Sequence, residues 1–231
     1  STPKPSSAAS DVYKRQQIPN GNYMAFVPSY QQGPIPLGDW TNLFQSFGYA
    51  ADGITNEFPW MGFRIVEWDQ NTNQEIWNWD PFEHFSMDDH DLYGGMWWDA
   101  AFNGRFDWMH TNAIYYKSDL DQIVFSSKHF NEIFIIDHST TILEASGHDG
   151  GNSNKGGDIL YRWGNPANYG RGNNSIQKLN AQHGVHWIPL GYPGASKLLI
   201  FNNNPSDTLL NSNQFGNSSV VEILPPVRVR L

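Results

Sequence analysis

Two short segments of this sequence carry histidines in surroundings that suit group-transfer chemistry. The first is Asp107-Trp-Met-His110-Thr-Asn112, and the second is Gln182-His183-Gly-Val-His186-Trp187. A neutral imidazole is a capable nucleophile, and because its pKa lies near neutral pH it also serves as a general acid or base. One histidine in a strand-like segment is more often structural than catalytic. Two that converge on one cavity would supply what the transfer of an anionic group requires.

The other histidines carry weaker signals. One cluster combines imidazoles with carboxylates, as metal sites do, but a solvated acidic loop is the favoured interpretation: His84, Asp88, Asp89, His90 and Asp91. His129 and His138 flank a predicted strand and are interpreted as surface or packing residues. His148 lies in the glycine-rich segment 147–157, which lacks the Lys-Ser/Thr end of a phosphate-binding loop. The sequence therefore predicts no metal site and no cofactor.

Short strands are the elements that must position these histidines. Eight stretches are β-branched or aromatic and are bounded by Gly, Asn, Asp or Pro: 22–27, 63–68, 75–79, 122–126, 132–137, 158–163, 197–201 and 220–224. Residues 41–48 are the one stretch with a helical pattern, and it is short. Aromatic residues make up 15% of the chain and charged residues 16%, which favours an all-β fold over a helical bundle.

The order of these features recurs along the chain. An aromatic strand, a proline-containing loop, a histidine segment and a strand that ends in small polar residues appear twice. His110 and His186 are 76 residues apart, and so are Phe125 and Phe201. Repeated four-stranded antiparallel units predict a β-propeller. At this period the chain makes about three blades, whereas closed propellers have about four to eight. We therefore expect a partial propeller with long inter-strand loops, truncated at both ends.

The N-terminal segment does not read as part of this fold. Residues 6–16, SSAASDVYKRQ, resemble the translation of a sequencing-library adapter. We expect residues 1–16 to be a non-native scar that does not pack, and residues 17–231 to be the partial propeller domain.

Charge and composition restrict the partners. The net charge of −9 argues against nucleic acid and against an anionic membrane surface. An anionic substrate must then be held by a local cluster of His or Arg. The sequence contains no run of eighteen apolar residues, so we expect no membrane insertion. Because it contains no cysteine, it has no disulfides and no thiolate metal sites.

Five segments carry a likeness to a known family: 107–112, 126–129, 156–166, 182–189 and 201–204. Their order and spacing resemble the arylsulfotransferases, over roughly residues 60–226. The resemblance implies a six-bladed propeller of bacterial origin, periplasmic or secreted. It also implies transfer of a sulfuryl group from an aryl sulfate ester to a phenol, without a nucleotide donor, through a sulfated histidine. Aryl sulfates and phenols are then the expected small-molecule partners.

The resemblance assigns roles to individual residues. The histidine of the family's Asp-Trp-x-His-x-Asn segment falls on His110, and that of its Gln-His segment falls on His183, which makes both candidate catalytic residues. The repeat spacing alone would favour His186, which we expect to support His183. The candidate substrate-binding residues are Asn112, His186 and Arg162, although an outward, solvated position suits Arg162 equally well.

The chain also departs from the family. It reads Ser126-Ser127-Lys128 where the family has Ser-Ser-Arg, and no arginine follows the asparagines that end segment 201–204 until Arg228. The resemblance places the sulfated histidine beyond Leu231, so we expect the 231-residue chain itself to be inactive.

Two other classes of function remain open. In a non-catalytic propeller, aromatic funnel residues would hold a carbohydrate or aromatic ligand, and the candidates are Trp97, Trp98, Trp108 and Trp187. A structural or adhesion propeller would need no convergence of histidines. The discriminating observation is whether His110 and His183 face one cavity.

Overall fold

A computed structural model describes residues 14–89, 96–203 and 217–226. Within these ranges the chain is all-β, with twelve strands: β1 Arg15–Gln17, β2 Tyr23–Gly33, β3 Phe58–Asp69, β4 Gln74–Trp79, β5 Phe106–Asp107, β6 Thr111–Lys117, β7 Gln122–Ser127, β8 Glu132–Asp137, β9 Tyr161–Trp163, β10 His183–Trp187, β11 Leu198–Asn202 and β12 Ser219–Ile223. The α-helices are short: α1 Thr41–Ser46, α2 Trp97–Asn103 and α3 Ile142–Ala145. Three 3₁₀ helices span Pro81–Glu83, Pro166–Tyr169 and Asn174–Ile176. No helix in the described part is long and apolar enough to cross a membrane.

The strands form three sheets. The first has the order β1-β2-β3-β4, with β5 joined parallel to β3. The second, β6-β7-β8-β9, is a fully antiparallel meander, and the third has the order β10-β11-β12. None of these sheets closes on itself. The second sheet is the four-stranded unit that the sequence predicts, whereas the number of propeller blades stays a prediction.

The second sheet is covered on both faces. In β7, Ile123 and Phe125 join a large aromatic core shared with the first sheet, while Val124 joins a smaller core shared with the third. Successive strand residues point to opposite faces, so a strand buried on both sides becomes a continuous apolar run. This is why β7 and β8 read QIVFSS and EIFIID. Packing on both faces makes the second sheet a rigid support for the residues at its edge.

The eight predicted strand stretches all coincide with strands, and α1 lies within the predicted stretch 41–48. The sequence did not predict β1, β5 or α2, and it described β6 and β10 only as histidine segments. Bulges interrupt the pairing of β6 between Thr111 and Ala113, and that of β10 between His183 and His186. A bulge breaks the two-residue alternation by which a strand is recognised.

The expectation that residues 1–16 do not pack is wrong for the last of them. Arg15 pairs with Ala25 and Gln16 with Met24. The Gln16 side-chain oxygen also accepts a 2.8 Å hydrogen bond from the backbone amide of Tyr116. Residues 1–13 lie outside the described part, and the adapter origin of the segment stays a prediction.

The recurring order of elements is present, but its period is not constant. The outermost strands β4 and β9 are each followed by a 3₁₀ helix that begins with proline and is capped by Asp80 or Asn165. The spacing of 76 connects Phe125 and Phe201, each the fourth residue of its strand, but it does not connect equivalent histidines. His110 immediately precedes β6, whereas His186 is the fourth residue of β10. The positional match to His110 is therefore His183, the first residue of β10.

Candidate functional site

The site lies where the end strands of the second and third sheets, β6 and β10, begin side by side. Gln182, just before β10, holds the two sheets together. Its side-chain amide donates to the backbone oxygens of Ser127 and Glu132 at 2.8 and 2.7 Å, and its own backbone oxygen accepts from Asn112 at 2.7 Å. These buried bonds hold the start of β10 against the second sheet, so that His183 lies beside the segment that carries His110.

His110 is held by Asp107 in a defined orientation. It adopts a left-handed backbone conformation (φ 47°), which is uncommon for a residue other than glycine. That turn lets Asp107 accept two hydrogen bonds, from the His110 backbone amide at 3.1 Å and from Nδ1 at 2.6 Å. Since Nδ1 donates to a carboxylate, Nε2 of the neutral ring carries the lone pair. The side chain is 37% exposed, so this nitrogen can reach a substrate.

Asp107 is the anionic partner in this pair. Burial alone would raise its pKa, but the hydrogen bonds and charge of His110, together with the charge of His129, hold the pKa below its usual value. A carboxylate that fixes the tautomer of a histidine and stabilises its protonated form is the arrangement by which acid–base histidines are oriented in enzymes.

His129 is the buried histidine of the site. Its ring lies 4.8 Å from that of His110, and its Nδ1 donates to the backbone oxygen of Asp107 at 2.6 Å. Burial lowers its pKa to about 4, and this exceeds the opposing effect of Asp107. His129 is therefore neutral at physiological pH. Ligand atoms of Asp107, His110 and His129 lie close enough for a metal ion, but hydrogen bonds already use Nδ1 of both histidines.

His183 can keep a proton on either ring nitrogen. Its Nδ1 lies 3.0 Å from the backbone oxygen of Ala181 and 2.7 Å from the side-chain amide nitrogen of Asn203. The carbonyl accepts when Nδ1 is protonated, and the amide donates when the proton is on Nε2. Burial lowers the pKa of His183 against the opposing hydrogen bond to Ala181, and the positive charges of Lys128 and His110 lower it further.

Lys128 supplies a positive charge to the same place. It follows β7, and its backbone amide donates to the His110 backbone oxygen at 3.2 Å. Its charge lowers the pKa of both His129 and His183. Within the described ranges, no carboxylate forms an ion pair with its ammonium group. The cluster thus combines one oriented imidazole, two further imidazoles and a cation without an ion-pair partner, a set that can bind an anion and move a proton beside it.

The sequence matches a known protein family whose reaction involves an anionic group. The family model described as Arylsulfotransferase (ASST) matches residues 52–222, most of the chain and all of the cluster. The chain belongs to the arylsulfotransferase family. Searches of curated proteins and of solved structures find no match.

Two of the predicted substrate-binding residues lie on the strands that begin at the cluster. Asn112 is buried, donates to the Gln182 backbone oxygen and accepts from the Ser126 hydroxyl at 2.5 Å. Its amide is therefore engaged in joining β6 to β7 and β10. His186 lies further along β10, where its ring faces Tyr115 at 6.1 Å. The structure places His110 just before β6 and His183 at the start of the adjacent β10, with Asn112 bonded between the two strands. The functional roles of these residues and of His186 stay predictions.

Arg162 lies in a different environment. Its guanidinium makes a two-point ion pair with Glu132, at 2.7 and 2.8 Å, and a further contact with Asp89 at 3.1 Å. It also stacks over the ring of Tyr169 at 4.3 Å. The outward, solvated position considered from the sequence is therefore wrong, since the side chain is 17% exposed. A sulfate ester would have to compete with two carboxylates for this arginine.

The described cavity lies away from these histidines. It has a volume of about 690 Å³ and is lined by the end of β1 and by residues at the far ends of β6 and β10, including Tyr116, Asp119 and Ile188. His110 and His183 lie at the opposite, leading ends of the same strands. Their convergence on one cavity stays a prediction.

Sequence reasoning missed three members of the cluster: Asp107, Lys128 and His129. Each falls within a quoted family segment, and Asp107 precedes His110 by three residues. An acid at that spacing from a histidine was the available signal. The sequence does not show the left-handed turn at His110 that brings both groups together.

Proposed function

We propose that this protein transfers a sulfuryl group from an aryl sulfate ester to an acceptor phenol, without a nucleotide donor. The observation that carries the proposal is the Asp107–His110 pair, in which Nδ1 is held by the carboxylate and Nε2 has no hydrogen-bond partner in the described structure. Family membership supplies the reaction class. The proposal includes a periplasmic or secreted location, which rests on the family alone.

The cluster fits the demands of the reaction. Sulfuryl transfer has a loose transition state, like phosphoryl transfer, so the protein mainly positions the group and stabilises charge on its oxygens. Lys128 and a protonated nitrogen of His183 would contact those oxygens. The protonated form of His110, stabilised by Asp107, would give its Nε2 proton to the departing phenolate, and the resulting neutral ring would accept the proton of the incoming phenol at the same nitrogen.

The sulfuryl group would be carried between donor and acceptor on a histidine nitrogen. In the first half-reaction the ester S–O bond breaks and an S–N bond forms; in the second the S–N bond breaks and the acceptor S–O bond forms. We propose that the carrier is a histidine other than His110 and His183. His110 and His183 are then the acid–base and charge-stabilising groups of the reaction.

The burial of the tryptophans argues against the binding-propeller alternative. Trp97, Trp108 and Trp187 are each at most 1% exposed, and only Trp98 of the four candidates is accessible, at 46%. Side chains that form the cores cannot stack on a sugar or aromatic ligand. The alternative therefore lacks the surface on which it depended.

Transfer of sulfate between phenols tests the proposal. The full-length protein is incubated with 4-nitrophenyl sulfate and a second phenol, with no nucleotide added. We expect release of 4-nitrophenol that depends on the acceptor, together with a trapped histidine adduct that mass spectrometry detects as one added sulfuryl group. Absence of transfer to every phenol tried would refute the proposed function.

A further inference from the structure

A second histidine group, formed by His84, His148 and Asp158, lies between the first sheet and the loop that precedes β9. His84 follows the 3₁₀ helix Pro81–Glu83, and its ring stacks on Trp79 at 5.3 Å with an interplanar angle of 7°. The sequence favoured a solvated acidic loop here, and for His84 this is wrong because its side chain is fully buried. Asp89 of that cluster pairs with Arg162 instead, and His90 and Asp91 lie outside the described residues.

His84 has one buried nitrogen without a hydrogen-bond partner. Nε2 lies 2.7 Å from the backbone oxygen of Ala145, which can only accept, so Nε2 carries the proton. The lone pair of the neutral ring is then on Nδ1, which is buried and has no hydrogen-bond partner within the described structure. Nδ1 is aimed at Asp158, 3.5 Å from Oδ1, a distance typical of ion pairs but without hydrogen-bond geometry. A buried lone pair left in this way costs free energy unless something coordinates it.

A second imidazole faces the same carboxylate. His148 Nδ1 lies 2.7 Å from Asp158 Oδ1, and ligand atoms of His84, His148 and Asp158 all lie within 4.8 Å of one another. Tetrahedral zinc, with bonds of about 2.0–2.2 Å, holds its ligand atoms roughly 3.3–3.6 Å apart. Small side-chain rotations would bring all three to that spacing, and the exposed His148 leaves a side open for water.

The backbone at Gly157 packs tightly against His84 and Ala145. Gly157 precedes Asp158, and a Cβ at this position would clash with the Ala145 oxygen and the His84 ring. The Gly157 oxygen accepts from Trp79 Nε1 at 2.8 Å, while its amide closes the loop onto Gly147 at 3.0 Å. The bond from His84 Nε2 to a backbone carbonyl is also the outer contact that metal-ligating histidines usually make.

We propose that His84, His148 and Asp158 bind a divalent transition-metal ion of the zinc type. Two imidazoles and a carboxylate suit such an ion better than calcium or magnesium, which prefer oxygen ligands. The site would be structural, because it joins the first sheet to the loop between α3 and β9 and lies apart from the His110 cluster. The proposal does not depend on the proposed sulfuryl transfer.

Zinc binding by the 231-residue chain tests this inference. The chain is stripped with a chelator and titrated with Zn²⁺ by calorimetry, and with Co²⁺, whose visible absorption reports tetrahedral coordination. We expect one tight site and a rise in melting temperature. His148→Ala, an exposed position that folding tolerates, and Asp158→Asn should each weaken binding by at least about a hundredfold. Asp149→Asn, the neighbouring acid, is the matched control and should bind as the unaltered chain does.

Two outcomes would overturn the inference. One is that the folded chain, checked by circular dichroism, binds no Zn²⁺. The other is that His148→Ala binds normally while His110→Ala loses the ion, which would assign binding to the Asp107–His110–His129 group instead.

Discussion

Two carboxylate–histidine groups in this molecule use the same residue types in different ways. At His138 both ring nitrogens are held, Nδ1 by Asp121 at 2.7 Å and Nε2 by Glu67 at 2.9 Å, and the side chain is 12% exposed. At His110 only Nδ1 is held, by Asp107, and the side chain is 37% exposed. The first group is closed, and the second leaves one nitrogen for a substrate.

The electrostatics follow from this difference. Burial alone would lower the pKa of His138, but the two carboxylates raise it to about 9, and the pKa of Glu67 falls to about 2. His138 is thus a permanent cation at neutral pH that ties β3 to the end of β8. A histidine that stays charged cannot exchange protons during turnover, whereas one with a free Nε2 can. The number of ring nitrogens bonded to carboxylates therefore distinguishes the structural histidine, His138, from the candidate catalytic one, His110, better than sequence position does.

The largest expected effect is at His110. His110→Ala in the full-length protein should lower kcat for transfer from 4-nitrophenyl sulfate by about a hundredfold or more, the scale of losing an acid–base group. His138→Gln, the matched variant in the closed group, should keep kcat within about threefold, because it touches no substrate. Equal losses in both variants would remove the distinction between the two groups.

His183→Ala should also reduce turnover by on the order of a hundredfold, through lost charge stabilisation at the sulfuryl oxygens. His183→Asn, which keeps a donor, should recover part of the rate. If the alanine variant is as fast as the unaltered enzyme over the whole pH profile, His183 has no part in the reaction.

Lys128 should affect substrate binding more than the chemical step. Lys128→Ala is expected to raise KM for the aryl sulfate about tenfold, whereas Lys128→Arg should restore it, since both cations bind an anionic oxygen. An unchanged KM in the alanine variant would mean that Lys128 does not contact the sulfate group.

The smallest effect, on stability alone, is expected at the closed group. The folded-state pKa of His138 lies above the unfolded value of about 6.5, so its stabilisation is complete below that pH and is lost as pH rises through about 9. Urea unfolding should show His138→Gln less stable than the unaltered chain by on the order of 2–3 kcal/mol at about pH 6.5. The gap should shrink above about pH 9. A gap that is constant with pH would contradict the assigned charge of His138.

The sequence was informative where a single local pattern decides the structure. Residues 123–125 of β7 and 133–136 of β8 are apolar without interruption because both faces are buried, so these strands could be predicted without tertiary information. The histidines were found in the same way, from the segments that contain them. Their roles could not be, because these depend on contacts across the fold: a left-handed turn joins His110 to Asp107, the β6–β7 pairing brings His129 under them, and Glu67 reaches His138 from another sheet.

The protonation of the two histidines at about pH 8 tests the central claim most directly. Long-range ¹H–¹⁵N correlation spectra of the 231-residue chain, assigned with His110→Ala and His138→Gln, report which ring nitrogens carry protons. We predict that the neutral His110 ring carries its proton on Nδ1, with a bare Nε2, and that His138 carries protons on both nitrogens. A His110 ring protonated on Nε2, with Nδ1 bare, would contradict the account, because that nitrogen could not then accept the proton of the phenol.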